Sequence, residues 1–460
     1  MTSETRSPQA LTQIFNARSI ALVGASDDPK KFGYMTLHSL IEGGFEGPIY
    51  PVNAKGGELM GMKAYSSLRE IPTSVDLVVI IVPAKFVPEI IADAAAKGAK
   101  GAVVLSGGFR EAGRPDLEEE IIAISRQKGI RILGPNIQGV NYLPNKLCAM
   151  FFPVIKAKGP LAIISQSGTV TAALSEWAAD EGLGISAAVN LGNQADLCET
   201  DYIEFFASDP GTGAIVMYLE GVKDGRCFLD AIRAACRQKP VAVLKAGRTA
   251  IGQRSAASHT GSLASNFGVF SAACRQCGAF VATDLESLYD AAKGMAAIQP
   301  PRGNRVLSIS TSGGAGTLAA DQAEECGLAM PLLPEEAAAE VKRNGAPPLA
   351  VLSNPLDLVS IMADDFRKVV IAMDQFDVAD TILLNFGDPV AGGVKLTEEL
   401  AGRIKASLAV AYFGGGDEEK KARLALQRMG IPVFPTPERA IRGIGAASWA
   451  AAYHRRRNHS

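Results

Sequence analysis

The chain has 460 residues, too many for a single compact core, so about two to four domains of ~100–200 residues are expected. A 47% hydrophobic content excludes a disordered chain, and 46 Lys+Arg against 48 Asp+Glu remove the electrostatic case for a nucleic-acid or anionic-membrane partner. Seven scattered cysteines with no signal peptide predict a reduced, cytoplasmic setting, and the longest apolar run, Leu77–Pro83, is far short of the ~20 residues that span a bilayer.

Strand-like apolar runs alternate with amphipathic helical stretches. Ser19–Gly24, Pro48–Val52, Leu77–Val82, Ala102–Leu105 and Ile130–Leu133 read as buried strands, with helices such as Val87–Lys97 and Asp116–Lys128 between them. This alternation predicts an α/β fold with a mostly parallel, doubly wound sheet. The loop Val23–Gly33, which includes Gly24, Ser26 and Lys31, follows the first strand and leads into a helix. Small residues there let backbone N–H groups and the helix dipole approach a phosphate. The loop lacks Gly-x-Gly-x-x-Gly, so a nicotinamide dinucleotide is poorly supported. A nucleotide-like ligand at a switch point and simple tight packing both remain open. Four further loops should gather at the same carboxyl edge: Val52–Lys55 with Asn53, Val82–Ala84 with Pro83, Ser106–Phe109 with Gly107, and Gly134–Asn136. Lys55 could pair with a phosphate.

The pattern restarts at Pro160–Ile164 and again at Arg305–Ile309. Ile164–Leu183 aligns without gaps to Ile309–Leu328, and each unit later carries Asn-x-x-Asp-Leu, at Asn193–Leu197 and Asn354–Leu358. Convergent βα turns explain this resemblance, and so do two related flavodoxin-like domains facing each other. The loops Gln166-Ser167-Gly168 and Thr311-Ser312-Gly313-Gly314 each join a strand to a helix. Ordinary N-capping accounts for either loop, at about 1 kcal/mol per helix. Their repetition points to anion binding at two helix starts. A Pro- and Gly-rich linker, Ile298–Asn304, separates the two units. Domains at 1–152, 153–298 and 299–460 are expected.

His259 is one of four histidines. It lies in Ser255–Leu263, a small-residue run suited to an exposed loop. A packed histidine and a covalently phosphorylated one both fit that run, since no nearby anion would repel a phosphoryl group. Glu220, at the end of the strand Val216–Gly221, is the carboxylate that could orient the ring and support its imidazolium. Cys274-Arg-Gln-Cys277 has metal or redox spacing but falls in a predicted helix, so packing is expected there, and no metal site is expected in the chain.

Together, Gly24-Ala-Ser26, Tyr50–Lys55, Gly134–Asn136, Ser165–Gly168, Leu219–Gly221, Ser258–Gly261, Ser312–Gly314 and Asn354–Asp357, in that order, resemble the α subunit of the nucleoside-diphosphate-forming acyl-CoA synthetases, relatives of succinyl-CoA ligase typified by ADP-forming acetate–CoA ligase. The resemblance spans roughly residues 10–450. It implies an N-terminal Rossmann-like CoA-binding domain followed by two flavodoxin-like ligase domains. It implies CoA beside Ser26, Lys31, Val52, Lys55, Val82, Pro83 and Ser106, with Gly24, Asn53, Gly107 and Asn136 in the same crevice. It also implies a phosphohistidine at His259 steadied by Glu220, and phosphate held at the Ser167-Gly168 and Gly313-Gly314 helix starts. The implied reaction interconverts acyl-CoA, ADP and phosphate with carboxylic acid, CoA and ATP. ATP or ADP and Mg2+ would sit on an ATP-grasp β subunit, since the three domains use up the chain, and a hetero-oligomer follows. The family usually has a small polar or sulfur residue after Gly-Pro-Asn. Ile137 stands there instead, so acetate is not assumed. A non-catalytic CoA-sensing protein is the alternative expectation.

Overall fold

The computed structural model describes residues 8–152, 154–254, 266–359, 361–387 and 392–458. They form two compact units, one of Met1–Ala179, Gly184–Lys239 and Val243–Cys277, the other of Asp180–Leu183, Pro240–Ala242 and Gly278–Ser460.

The first unit opens with a sheet of β1 (Ile20–Val23), β2 (Ile49–Val52), β3 (Leu77–Ile80), β4 (Gly101–Val104) and β5 (Arg131–Leu133), in the order β2-β1-β3-β4-β5. All its neighbouring strands run parallel. Every residue of β1, β3 and β4 is buried, as helices on both faces of a parallel sheet require. The order reverses direction at β1, which creates a crevice at the carboxyl edge. Gly24, just past β1, has φ +95°, and a Cβ there would lie 2.3 Å from the Ile81 carbonyl oxygen. A Cβ on Gly33, in helix α1 (Phe32–Glu42), would lie 2.0 Å from the Gly24 carbonyl oxygen. The crossing of strand and helix therefore needs both glycines.

A second sheet holds β6 (Gly139–Tyr142), β7 (Leu147–Met150), β8 (Lys158–Ser165), β9 (Ile185–Asn190), β10 (Ala214–Leu219) and β11 (Val241–Lys245), in the order β11-β10-β8-β9-β6-β7. The hairpin β6–β7 precedes residue 152 but pairs antiparallel with β9, so the first sheet ends at Leu133 and the next strands belong to the second. Helix α2 (Gly168–Asp180) follows β8.

The second unit contains helix α3 (Leu285–Ala297) and a sheet of β12 (Val306–Ser310), β13 (Val351–Leu352), β14 (Leu356–Asp357), β15 (Thr381–Phe386), β16 (Ser407–Tyr412) and β17 (Val433–Phe434). Its order is β13-β14-β12-β15-β16-β17, with β14, β12, β15, β16 and β17 parallel. Alternate residues face opposite cores. Leu307, Ile309, Ile382, Leu384, Leu408 and Val410 pack on one side, and Val306, Leu383, Ala409 and Ala411 on the other. That two-residue period places helices on both faces. Among these helices are α4 (Gly313–Glu325), after β12, and the closing α5 (Pro437–Asn458).

The chain between α2 and β9 brings Glu181 into the second unit, where its carboxylate lies 2.6 Å from the Lys293 ammonium and 3.3 Å from the Arg439 guanidinium. Arg439 also meets Asp290 at 2.7 Å, and Arg442 meets Asp290 at 3.1 Å. Burial alone would raise the Glu181 carboxyl; Lys293 and Arg439 outweigh it and hold it below the usual carboxylate range. Lys293 is only 1% exposed at its side chain, so removing its partner strands a buried charge. Glu181→Ala should lower the unfolding free energy of the second unit by about 3 kcal/mol. Lys293→Met, which leaves Glu181 facing Arg439, should cost about 1 kcal/mol or less. Denaturant unfolding of both variants checks the difference, and equal losses would contradict it.

Candidate active site

Both helix starts singled out in the sequence are built by one device. The buried Ser165 hydroxyl, at the end of β8, donates to the Ser167 carbonyl at 2.7 Å and accepts the Ser167 N–H at 3.1 Å. Ser310, at the end of β12, does the same to Ser312, at 2.6 Å and 2.9 Å. The residue between is tied to the neighbouring strand in each case. The Gln166 N–H donates to the Tyr218 carbonyl at 3.0 Å, and the Thr311 N–H to the Asn385 carbonyl at 3.1 Å. The chain thus turns sharply out of the sheet and delivers the first N–H groups of α2 and α4 pointing back past the strand ends.

The surroundings of the two starts differ. Gly168 opens α2 against Gln138: a Cβ on Gly168 would lie 2.0 Å from the Gln138 side-chain carbonyl carbon and oxygen. Gly313 opens α4 beside Asp357, whose carboxylate would lie 2.9 Å from a Cβ there, while a Cβ on Gly314 would meet nothing within 4 Å.

A cavity of about 620 Å³ lies within the first unit. It connects the carboxyl ends of β3, β4 and β5 with the start of α2. Val82, Pro83, Ser106, Gly107 and Asn136 line it from the first sheet, and Gln166, Ser167 and Gly168 from the second. Phe32 and Phe151, with ring centroids 4.4 Å apart, form an apolar wall. Ile137 also lines it, yet is only 2% exposed: its side chain packs where Cβ atoms on Gly134 and Gly192 would otherwise stand. Ile137 therefore shapes the wall without filling the space.

The remaining residues predicted for the crevice lie at the ends of β1 and β2, outside this lining. Gly24 makes the tight crossing described above. The buried Ser26 hydroxyl accepts the Asp28 N–H at 3.1 Å, and Val52 is buried. Asn53 bridges the two strand ends, donating to the Ala25 carbonyl at 2.8 Å and accepting the Lys55 N–H at 2.9 Å. Lys31 and Lys55 are exposed.

Gln166 lines the cavity, and its side chain holds backbone. Its side-chain oxygen accepts the N–H groups of Glu220 and Gly221, and its amide donates to the Gly221 carbonyl at 2.8 Å. The side chain is consumed in holding the turn after β10. Glu220 is half-buried, and its carboxylate accepts the Tyr218 hydroxyl, so burial and that carboxylate together raise the Tyr218 phenol. The buried Lys245 ammonium, at the end of β11, donates at 2.7 Å to both the Glu220 and Ala246 carbonyls and fastens the two strand ends together. Burial lowers the Lys245 ammonium. His259 lies outside the described residues. Lys245 and Asn266, on either side of that segment, both belong to the first unit. The Cys274 thiol is buried in the helix Phe267–Gln276 and pushed up to about 12, so it stays protonated.

Sequence reading missed the support beneath Asn136. Asn136 has φ +61°, and its amide donates to the Asn193 side chain at 3.2 Å. Asn193 donates in turn to Glu111 at 2.5 Å and to the buried Glu118 at 3.0 Å. Glu111 accepts the Gly108 and Phe109 N–H groups at 2.6 Å and 3.2 Å, and Lys223 donates to the Asn193 and Gln194 carbonyls at 3.0 Å and 2.7 Å. One network therefore sets the loops after β4 and β5. The repeated Asn-x-x-Asp-Leu was its only trace in the sequence, and the two copies do different things. Asp196 pairs with Arg131 at 2.8 Å, whereas Asn354 caps the Val306 and Pro331 carbonyls at 2.8 Å and 3.1 Å.

Comparison with known proteins decides the class. Residues 18–143 match the CoA binding domain family, and residues 158–295 match the succinyl-CoA ligase like flavodoxin domain. The chain is 41% identical to the α subunit of ADP-forming acetate–CoA ligase I of Pyrococcus furiosus, covering 96% of this chain and 99% of that one. It belongs to the ADP-forming acyl-CoA synthetase family. It is thus an acid–thiol ligase, and its α/β architecture is a CoA-binding domain followed by succinyl-CoA-ligase-like flavodoxin domains. The ADP-forming acetate–CoA ligase I of Archaeoglobus fulgidus is 35% identical over 94% of this chain, which spans 63% of that protein. Among solved structures, acetyl-coenzyme A synthetase 1 of Ca. Korarchaeum cryptofilum, in complex with phosphate and ADP, is 36% identical with a TM-score of 0.90, covering 98% of this chain and 99% of that chain.

The Glu111 anchor sets a pH dependence. Burial alone would raise its carboxyl; hydrogen bonds from Asn193 and from the Gly108 and Phe109 N–H groups outweigh that and hold it below the usual range. A depressed carboxyl supports the fold above its unfolded value of about 4.3 and loses that support as pH falls through its folded value. CoA affinity measured by calorimetry should stay flat from about pH 8 to 5, then fail below the ordinary carboxylate range. Glu111→Gln should weaken it about 3–10-fold at neutral pH. An unchanged affinity in that variant would disconnect the network from the site.

Proposed function

We propose that the chain is the CoA- and phosphate-handling subunit of an ADP-forming acid–CoA ligase, and that its first unit carries the thioester chemistry. One observation supports this above the rest. The cavity joins the loops of the CoA-binding domain to the start of α2, where Ser167 caps the Val170 N–H and Gly168 and Thr169 line the space, so a CoA sulfur and a phosphate can occupy one space. The N–H groups at the α2 start and the helix dipole hold the phosphate. Its oxygen attacks the thioester carbonyl carbon. The C–S bond breaks, the electron pair leaves on sulfur, and the thiolate takes a proton. The acyl phosphate then meets His259. The imidazole nitrogen attacks phosphorus, the bond to the acyl oxygen breaks, and the carboxylate departs. Glu220, braced by Gln166 and Lys245, steadies the imidazolium. The phosphoryl group finally passes to a terminal oxygen of ADP. Such transfers rest on positioning and charge neutralisation, for which the start of α4 is a second anion site.

The nucleotide step belongs to a separate ATP-grasp chain carrying ADP or ATP with Mg2+, in a cytoplasmic hetero-oligomer. Two findings support a separate partner chain. The Pyrococcus furiosus relative that the chain covers almost end to end bears the name of an α subunit, and the chain spans 63% of the Archaeoglobus fulgidus relative.

With its partner, ATP, CoA and a panel of carboxylic acids, the protein should form thioester. His259→Ala should lower turnover by about 1,000-fold or more, and Glu220→Gln by about 10–100-fold. Retention of full turnover by the His259 variant would overturn the phosphohistidine route.

A further inference from the structure

Gln138 stands out among the polar groups of the cavity. Its backbone is fully used: the N–H donates to the Asn190 side chain at 2.8 Å, and the carbonyl accepts the Phe151 N–H at 3.3 Å. Its side-chain amide makes no hydrogen bond among the described residues, although the carbonyl oxygen is buried. The other side-chain amides of the cavity are committed, Gln166 to the backbone after β10, Asn190 to the Ser165 carbonyl at 3.1 Å, and Asn136 to Asn193. The residue is half-buried, and a buried oxygen left without a donor is unfavourable. Gln138 holds this position against the first residue of α2, where only a glycine leaves it room. Turning the amide over exchanges its oxygen and –NH2 at no cost in volume. A neutral donor can therefore stand beside the N–H groups that open the helix.

We propose that Gln138 is a catalytic residue of the thioester half-reaction, whose side-chain –NH2 hydrogen-bonds the oxygen of the reacting acyl or phosphoryl group at the start of α2. In the forward step, phosphate oxygen bonds to the carbonyl carbon as the C–S bond breaks and sulfur leaves with the electron pair. Negative charge gathers transiently on the carbonyl oxygen, and a donor fixed beside the helix N–H groups stabilises that charge more than it stabilises the ground state. The same amide contacts the acyl phosphate when the reaction runs toward thioester. Being uncharged, it leaves the phosphate dianion and the departing carboxylate free to exchange.

This assignment rests on the ligase reading above, and one experiment separates the two. The purified chain is mixed with acetyl-CoA or a longer acyl-CoA and radiolabelled phosphate, and acid-labile label on the protein is followed in time beside calorimetric CoA affinity. Gln138→Met keeps length and packing against Gly168 but removes both hydrogen-bonding ends. It should bind CoA within about twofold of the parent and acquire label about 100-fold more slowly, whichever acyl group is used. Gln138→Glu, which adds an anion at the phosphate, should be slower still. A labelling rate in Gln138→Met within twofold of the parent would overturn the role of Gln138 alone. Label lost in proportion to CoA affinity would make it a packing residue and also overturn it. A parent chain that binds CoA yet never acquires label would overturn the ligase reading together with this one.

Discussion

A serine hydroxyl folding the chain at the end of a strand is the interaction on which the site depends. Ser165 and Ser310 each hold the backbone two residues on by its carbonyl and its N–H, forcing a helix to begin at the strand end. A helix begun there has no earlier turn to satisfy its first N–H groups; in α2 the Ser167 hydroxyl caps that of Val170, and small residues flank the two before it. The consequence is a fixed patch of positive potential that needs no charged side chain. Such a patch binds an anion without the desolvation cost of a buried lysine or arginine. The cavity walls are in keeping with this: aromatic and aliphatic groups, neutral amides and hydroxyls surround the α2 start.

The second requirement is that loops from two sheets meet that patch at constant geometry. Parallel strands place their carboxyl ends on one edge, so the loops after β3, β4 and β5 arrive together. Side chains from elsewhere then fix them. Asn193, from the loop after β9, ties Asn136 to Glu111 and Glu118, and so joins a loop of the second sheet to two loops of the first. Lys245 and Gln166 do the corresponding work for Glu220 by binding backbone at the ends of β10 and β11. Neutral and charged groups are used where each is cheapest: ammonium ions on backbone carbonyls away from the anion, amides and N–H groups next to it.

Much of this was legible in the sequence, for physical reasons. Strands buried on both faces leave unbroken apolar runs, and β1, β3 and β4 lie within a residue or two of where those runs predict them. The in-register alignment of Ile164–Leu183 with Ile309–Leu328 carried the paired serine turns, because a turn of that tightness dictates its residues locally. Side-chain pairings across long separations left no such mark. Gln166 and Glu220 are 54 residues apart, and Asn193 and Glu111 are 82 apart, so neither contact could be read from spacing. That the hairpin β6–β7 pairs with β9 of the second sheet was not legible either, because local pattern says nothing about which sheet a strand joins. Gln138 was passed over for the same reason. A glutamine in a loop is ordinary until Gly168 and the cavity are placed beside it.

In the proposed reaction, CoA sulfur and phosphate share the cavity of the first unit. A crystal structure of the protein with CoA and phosphate is the test. Phosphate should lie on the N–H groups of Gly168 and Thr169, with the CoA sulfur in the same cavity between Ser106 and Ser167. CoA bound with its sulfur away from that cavity, or phosphate absent from the α2 start, would contradict it.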